Sequence, residues 1–456
     1  MRSAFFGLEI AKKALFANQY ALNVTSHNIA NANTEGYSRQ NAVMSSLYLE
    51  SQYGFNKSYY KGQVGSGVTI DEVRQIRDVF VDYDYRRENQ ALGEWETKSE
   101  FLQKIELIFN EPSETGIRNV LDQFWNSLQE LSKNPESLTV RETVYQRGID
   151  LKETLNHINK QLSDTISHAN FTISTKISDI NSIAKQIAQL NLKIQQVEIT
   201  GDNANDLRDK RNLLIDRLSK IVNIDVTENK QGQTTITISG SSLVQGIYYR
   251  EIEFDGVKNI TWADSGKEVK IKSGELKGLL DIRDEVIADY KSDLQQLADT
   301  IMNEINNIHT SGYDLNGNIG EDFFIAGVGE DDLLEVNPLL KDVKKIAAAS
   351  TADGVPGDGT NALKMAQLKG SVDDFTKSLV AGLGVQTQEA KRNVENQELL
   401  VSHLENRREA ASGVSLDEEM SNMVRYQHAY NAAARIITAI DEMIGIVVEK
   451  MGIVGR

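Results

Sequence analysis

The chain has 456 residues, 40% hydrophobic and 25% charged, a net charge of −17 and an isoelectric point near 5.0, a size for about two to four domains. So acidic a chain has no basic face to track phosphates, which speaks against nucleic acid, and no apolar run approaches the roughly 20 residues that span a bilayer. With no cysteine there is neither disulfide nor thiolate chemistry, and only Pro112, Pro135, Pro338 and Pro356 interrupt what reads as a chain of extended helices.

Residues 3–31 carry two adjacent rows at helical spacing: Leu8, Ala11, Leu15, Leu22 and Ile29, then Ile10, Ala14, Ala17, Ala21 and Val24. An aliphatic row beside a row of small residues predicts a helix that another helix approaches closely. Glu9, Lys12 and Lys13 fall where the apolar stretch of a cleavable signal would lie, so the start is expected to stay uncleaved. In residues 26–40, SHNIANANTEGYSRQ, Asn28, Asn31 and Asn33 crowd the helix end and Gly36 turns the chain before Tyr37.

Residues 41–90 read as a loop, with a polar and aromatic cluster at 48–63, leading to a strand or linker at 67–76, GVTIDEVRQI. Helix resumes from residue 86, with Phe101, Ile105 and Ile108 on one face. Ser113 or Thr115 caps a helix that buries Val120, Leu121, Phe124, Trp125, Leu128 and Leu131; Asn134 and Pro135 end it, and the next begins near Ser137.

Over residues 151–197, Ile173, Ile177, Ile180, Ile183, Ile187, Leu190, Ile194 and Val197 recur about every 3.5 residues, a coiled-coil arm. Gly201, Asp202 and Asn203 turn it into a returning helix with Leu207, Leu214, Leu218 and Ile221 inward, an antiparallel hairpin. The alternating Asp206, Arg208, Asp209, Lys210 and Arg211 read as a solvated face.

The period then drops to two. Ile224 and Val226, a turn at Gln231 and Gly232, then Ile236 and Ile238 predict two strands, with more at 248–254, 257–262 and 268–272. Gly274 and Gly278 lead back to helix over 279–312. Asp314, Asn316 and Asn318 alternate as in a calcium loop, but Ile319 and Ile325 stand where glycine and glutamate are required, so no calcium site is expected. Helical spacing returns over 361–406 with Leu363, Ala366, Leu368, Phe375, Leu379 and Leu383, and breaks at Ser412 and Gly413.

In residues 415–451, Leu416, Met420, Met423, Tyr430, Ala434, Ile437, Ile444, Val448 and Met451 follow alternating four- and three-residue steps, interrupted by Gln427 and Asp441. This is a coiled-coil seam about 55 Å long, started by a capping box of Ser415 and Glu418. Ile436, Ile440, Ile446 and Val447 lie outside it, so the helix is apolar on more than one side and needs several neighbours.

The six histidines form no HExxH and no ligand cluster, and no P-loop, GxGxxG after a strand or GxSxG elbow occurs. No catalytic, cofactor or metal residue is assigned, and no enzyme is expected. The expected fold is mainly α: long terminal helices pairing as a coiled coil (1–40 and 412–456), an elongated helical bundle (41–222 and 275–411), and a small inserted antiparallel β domain (223–274).

The string NIANANTEGY at 28–37 resembles the segment that ends the first helix of flagellar rod, hook and hook-associated proteins, a family that usually carries proline where this chain has Glu35. Its continuation YSRQ, the block 109–148 and above all residues 412–443 are similar to the branch at the first hook–filament junction, and the resemblance covers nearly the whole chain. Longer relatives often carry a variable outer β-rich domain after the DFF end, here residues 322–324; this chain passes almost directly to VNPLL and IAAAS, so that domain is expected to be absent.

The resemblance implies a structural axial subunit of the bacterial flagellum, outside the cell, that forms the hook–filament junction and is needed for filament assembly. It implies terminal helices lining an inner tube and export through the flagellar type III apparatus. Expected partners are further copies of the chain, the hook protein, the second junction protein and a soluble export chaperone on the C-terminal helix, with neither nucleic acid nor membrane. Expected subunit contacts are Leu8, Leu15, Leu22, Ile29, Asn31, Tyr37, Met420, Met423, Tyr430, Ile437, Ile440, Ile444 and Val448. The alternatives are another axial protein of hook or rod type, and a secreted helical effector.

Overall fold

The computed structural model describes residues 5–47, 65–109, 116–229, 232–329 and 331–451. The cluster at 48–63, the capping candidates Ser113 and Thr115, and the turn residue Gln231 lie outside them. The chain opens with α1 (Phe5–Ala30), whose buried face is the small one: Ala11, Ala17 and Ala21, then Thr25 and Asn28. An antiparallel pair follows, β1 (Gln40–Ser46) and β2 (Val68–Gln75), from Gln40 opposite Gln75 to Ser46 opposite Val68. β1 falls where a loop was expected; its polar sequence has little strand preference of its own and takes its form from β2.

Helix α2 (Val79–Phe109) starts well before residue 86, because Asp78 Oδ1 accepts the Phe80 N–H at 2.9 Å and caps it. α3 (Ile117–Lys133) buries the expected face, with Val120 at its edge. Ser137 Oγ accepts from Val140 N–H and caps α4 (Leu138–Glu198), a 61-residue helix on the order of 90 Å long. Gly201, at φ 91°, supplies the left-handed turn into α5 (Asn205–Ile221).

The insert holds a four-stranded antiparallel sheet, β3 (Asp225–Glu228), β4 (Thr234–Ile238), β5 (Ser241–Gln245) and β6 (Tyr248–Tyr249), and a separate pair, β7 (Ile252–Phe254) and β8 (Ile260–Trp262). Residues 268–272 are not a strand: after the bridge from Glu268 to Thr261, Ser239 Oγ takes the Lys270 carbonyl and Asn223 Oδ1 the Lys272 N–H. Asn191 of α4 is fully buried, and its amide group binds Thr234 and Gly246 carbonyls at 3.0 and 2.7 Å. The sheet is thereby fixed to α4, and Ile236, Ile238, Ile252 and Trp262 share one continuous core with Ile180 and Ile187.

The return helix begins at Glu275 instead of 279: α6 (Glu275–Asp281) runs through a π turn at Ile282–Val286 into α7 (Ile287–His309). A hairpin of β9 (Phe324–Ala326) and β10 (Leu334–Val336) follows. The Asp314 loop closes on itself, with Oδ1 accepting the Asn316 and Asn318 N–H groups at 2.8 Å. Then come α8 (Thr360–Gln367) and α9 (Lys369–Ser412); in α8 it is Ala362 and Met365 that face inward and Leu363 that is exposed.

Helix α10 (Leu416–Met451) starts at Ser415, whose Oγ accepts the Glu418 N–H. The reciprocal half of the expected capping box is missing because the Glu418 carboxylate turns to Arg39 Nη1, 2.7 Å away. No described helix is long and apolar enough to cross a membrane.

Candidate functional site

Helices α1 and α10 pack side by side and antiparallel: Asn28 meets Glu419 at one end, and a Cβ at Gly7 would lie 3.4 Å from Ile440 Cδ1 at the other. The small residues Ala11, Ala17 and Ala21 allow this close approach. On α10 the inward line is Glu419, Met423, Tyr426, Tyr430, Ala433, Ile437, Ile440 and Ile444. Compared with the expected seam, the row Met423, Tyr430, Ile437, Ile444 is kept. The other row moves back by one residue, so Gln427 and Asp441 leave the seam for solvent. A carboxylate, Glu419, takes the place expected for Met420.

Of the expected contact residues, Leu8, Leu15, Leu22, Ile29, Met423, Tyr430, Ile437, Ile440 and Ile444 are half-buried, while Met420 and Val448 are 60% and 70% exposed. The outward side of the pair nevertheless carries large apolar side chains among exposed charged ones such as Arg435 and Glu442. Val424, Ile436, Met443, Ile446 and Val447 on α10, and Phe5, Phe16 and Tyr20 on α1, are all more than half exposed. An apolar flank of this extent on two paired helices marks an interaction surface.

Asn31 and Tyr37 do not face outward; they belong to a polar clasp that joins the helix pair to the body. The Asn28 side chain pairs with the Gln40 backbone as a strand would, donating to its carbonyl at 2.9 Å and accepting its N–H at 3.0 Å, and donates to Glu419 Oε2 at 3.0 Å. Tyr37 Oη donates to Asn28 Oδ1 at 2.7 Å, and His27 Nδ1 lies 3.0 Å from that hydroxyl. Asn31 donates to the His27 carbonyl, 3.0 Å away, and closes the helix end. Arg39 completes the joint: its guanidinium holds Glu419 at 2.8 Å and Glu418 at 2.7 Å, and its N–H bonds the Ser412 carbonyl at 2.8 Å. Both chain crossings between the helix pair and the body therefore meet at one arginine.

The other side of the clasp is α5. Asp209 and Arg211 are only 5% and 1% exposed, which corrects the solvated-face expectation. Asp209 Oδ2 accepts the Ser38 N–H at 3.0 Å, Arg77 lies 3.6 Å from its other oxygen, and Gln40 Nε2 donates to Asp206 at 2.7 Å. Asp216 is held at 2.7 Å by Arg86 of α2 and by Arg408 of α9. Gly36, at φ 77°, fits over Leu213, where a Cβ would come to 3.2 Å, and the neighbouring Glu35 pairs with Arg217 at 3.3 Å. Burial, reinforced by Asp206, Asp209 and Glu419, holds the Tyr37 phenol well above its usual range, so it stays a donor. Burial also raises the Asp209 carboxyl, against the Ser38 hydrogen bonds and Arg77. Alternating charge in α5 was the visible signal, but nothing local distinguishes a buried carboxylate from a solvated one.

Among the described residues no group of three or more His, Asp or Glu side chains could hold a metal ion.

Residues 102–324 match the profile described as flagellar hook-associated protein FlgK helical domain. Residues 8–37 match flagella basal body rod protein, and residues 408–449 flagellar basal body rod FlgEFG protein C-terminal. Flagellar hook-associated protein 1 of Bacillus subtilis (strain 168) is 35% identical, covering 100% of each chain. The protein of that name from Escherichia coli (strain K12) is 25% identical over 94% of this chain and 96% of its own. A solved structure of the flagellar hook junction protein FlgK from Burkholderia pseudomallei shares 22% identity at a TM-score of 0.48, over 53% of this chain and 47% of that one.

Proposed function

The chain belongs to the family of flagellar hook-associated protein 1, whose role is structural and whose place is the bacterial flagellum, and from that premise we propose that it forms the junction between hook and filament and that filaments need it to assemble. The observation that carries this reading is the row of large apolar side chains on α1 and α10 that the described residues leave exposed. Such a flank, repeated by a screw operation, gives a heterologous contact that builds a tube instead of a closed dimer. The clasp sets the direction in which that helix pair leaves the body.

Partners follow from the same reading: copies of the chain along the helix pair, the hook protein on one side, the second junction protein on the other. Before assembly a soluble export chaperone covers α10, and the chain leaves through the flagellar type III apparatus with an uncleaved N-terminal region. The role is structural and not catalytic. A deletion strain tests it: hooks without filaments are expected, restored by the intact gene. Normal filaments on the deletion strain would refute the reading.

A further inference from the structure

Helix α4 carries Asn170, Asn181 and Asn191 at intervals of about three turns, so the three share one side of the helix. The β insert is tied to each of them. Asn181 pairs with Ile252 of β7 as a neighbouring strand would, donating to its carbonyl at 2.8 Å and accepting its N–H at 2.9 Å. Asn191 holds the Thr234 and Gly246 carbonyls, and its Oδ1 accepts from Arg211, which also donates to the Gly232 carbonyl. Asn170 is reached through Arg283, the second residue of the π turn between α6 and α7.

Arg283 is buried, and all five of its N–H donors are taken. Asp284 accepts from Nε and Nη2 at 2.8 Å each, Asn170 and the Val257 carbonyl from Nη1 at 3.1 Å each, and the Lys258 carbonyl from Nη2 at 3.0 Å. The turn it grips is itself ordered, since Asp255 Oδ1 accepts the Val257, Lys258 and Asn259 N–H groups. One guanidinium thus joins the insert, α4 and the return helix. The insert has little core to set beside these anchors: Ile236, Ile252 and Trp262 belong to the core of Ile180 and Ile187 of α4, and about fifty residues are few to build a separate one.

We infer that the β insert has no stability of its own and unfolds only together with the distal half of α4, with Arg283 in the π turn as the latch that joins the two. The distal arm is then stiff only while the latch holds, and the insert keeps one fixed orientation on the subunit. This device belongs to the body alone and is independent of how the helix pair assembles.

Hydrogen exchange on the free full chain tests it, with Arg283→Leu and, as the milder break, Asn181→Ala. In both variants the protection of residues 234–262 and of 173–194 is expected to fall together, by roughly tenfold or more, as for the loss of a buried hydrogen-bonded group, while that of α3 stays within about twofold of the parent. Arg283→Lys keeps the charge but not the fork that reaches both carbonyls and Asn170, and is expected to behave like Arg283→Leu. Faster exchange in 234–262 with 173–194 unchanged would make the insert an independent domain and overturn the inference. An equal fall in α3, no change in either segment, or full protection with lysine at 283 would overturn it as well. Should Arg283→Leu fail to fold, Asn181→Ala decides alone.

Discussion

The helix pair α1–α10 and the body around α4 are built from the same kind of seam, yet they end differently. In the body Leu121, Phe124, Leu128, Leu155, Ile173 and Ile180 are wholly buried by partners within the chain. In the helix pair the apolar seam residues of α10 other than Ala433 are at best half-buried, and the next row outward is open. A helix needs tertiary cover over its apolar face to be stable in water, since propensity alone leaves it marginal. The body supplies its own cover; among the described residues α10 is covered by α1 and the polar clasp, and α1 by α10 and the β1–β2 pair.

The sharpest way to break that contrast is to charge the inner seam. Ile437→Asp with Ile444→Asp puts two carboxylates between α1 and α10, and filament assembly is expected to be lost while residues 116–309 keep their helical circular dichroism and exchange protection. Normal filaments from this variant would show that the pair is not the assembling element. Next in size, Phe124→Ala removes a wholly buried ring and should lower global stability by about 3–5 kcal/mol in denaturant unfolding. Ile446→Ala, at a side chain 54% exposed, should stay within about 0.5 kcal/mol of the parent in the free subunit and weaken assembly instead.

Arg39→Ala separates the clasp from both regions. It leaves the buried Glu419 carboxylate with only Asn28, a loss of roughly 3 kcal/mol on the scale of broken buried pairs. Exchange should quicken in α1 and α10 and not in α3 or α4. Equal quickening throughout would mean that the ends and the body unfold as one unit.

A further effect is pH-dependent and confined to the body. His309 is fully buried, and its Nε2 accepts the Ala347 N–H at 2.9 Å while its other ring nitrogen bonds the Glu321 carbonyl. Burial lowers its pKa to about 4, from 6.5. The unfolded chain therefore binds the extra proton first, and stability is lost as pH falls from about 6.5 towards 4, by up to roughly 3 kcal/mol. His309→Gln should flatten that part of the profile for the body, and exchange in α10 should follow neither change.

Much of the body was legible in the sequence. The isoleucine ladder of α4, the face of α3 and the switch to period two at Ile224 are local patterns that burial then satisfied in place. What escaped was set by partners far along the chain. β1 is a strand only because β2 lies beside it, and 268–272 is not one because Ser239 and Asn223 take its backbone groups. In the site, the asparagine string was visible as a helix exit, but its bond to Glu419, hundreds of residues away, was not.

The sequence by itself determined that both ends are long apolar helices, because periodicity is a property of neighbours in the chain, while the structural role was legible only through the likeness of its motifs to a family. Only the tertiary structure decided which row of α10 faces α1. That choice turned on a buried carboxylate, which is tolerable inside the seam solely because Asn28 and Arg39 converge on it, and convergence of distant polar groups leaves no periodic mark.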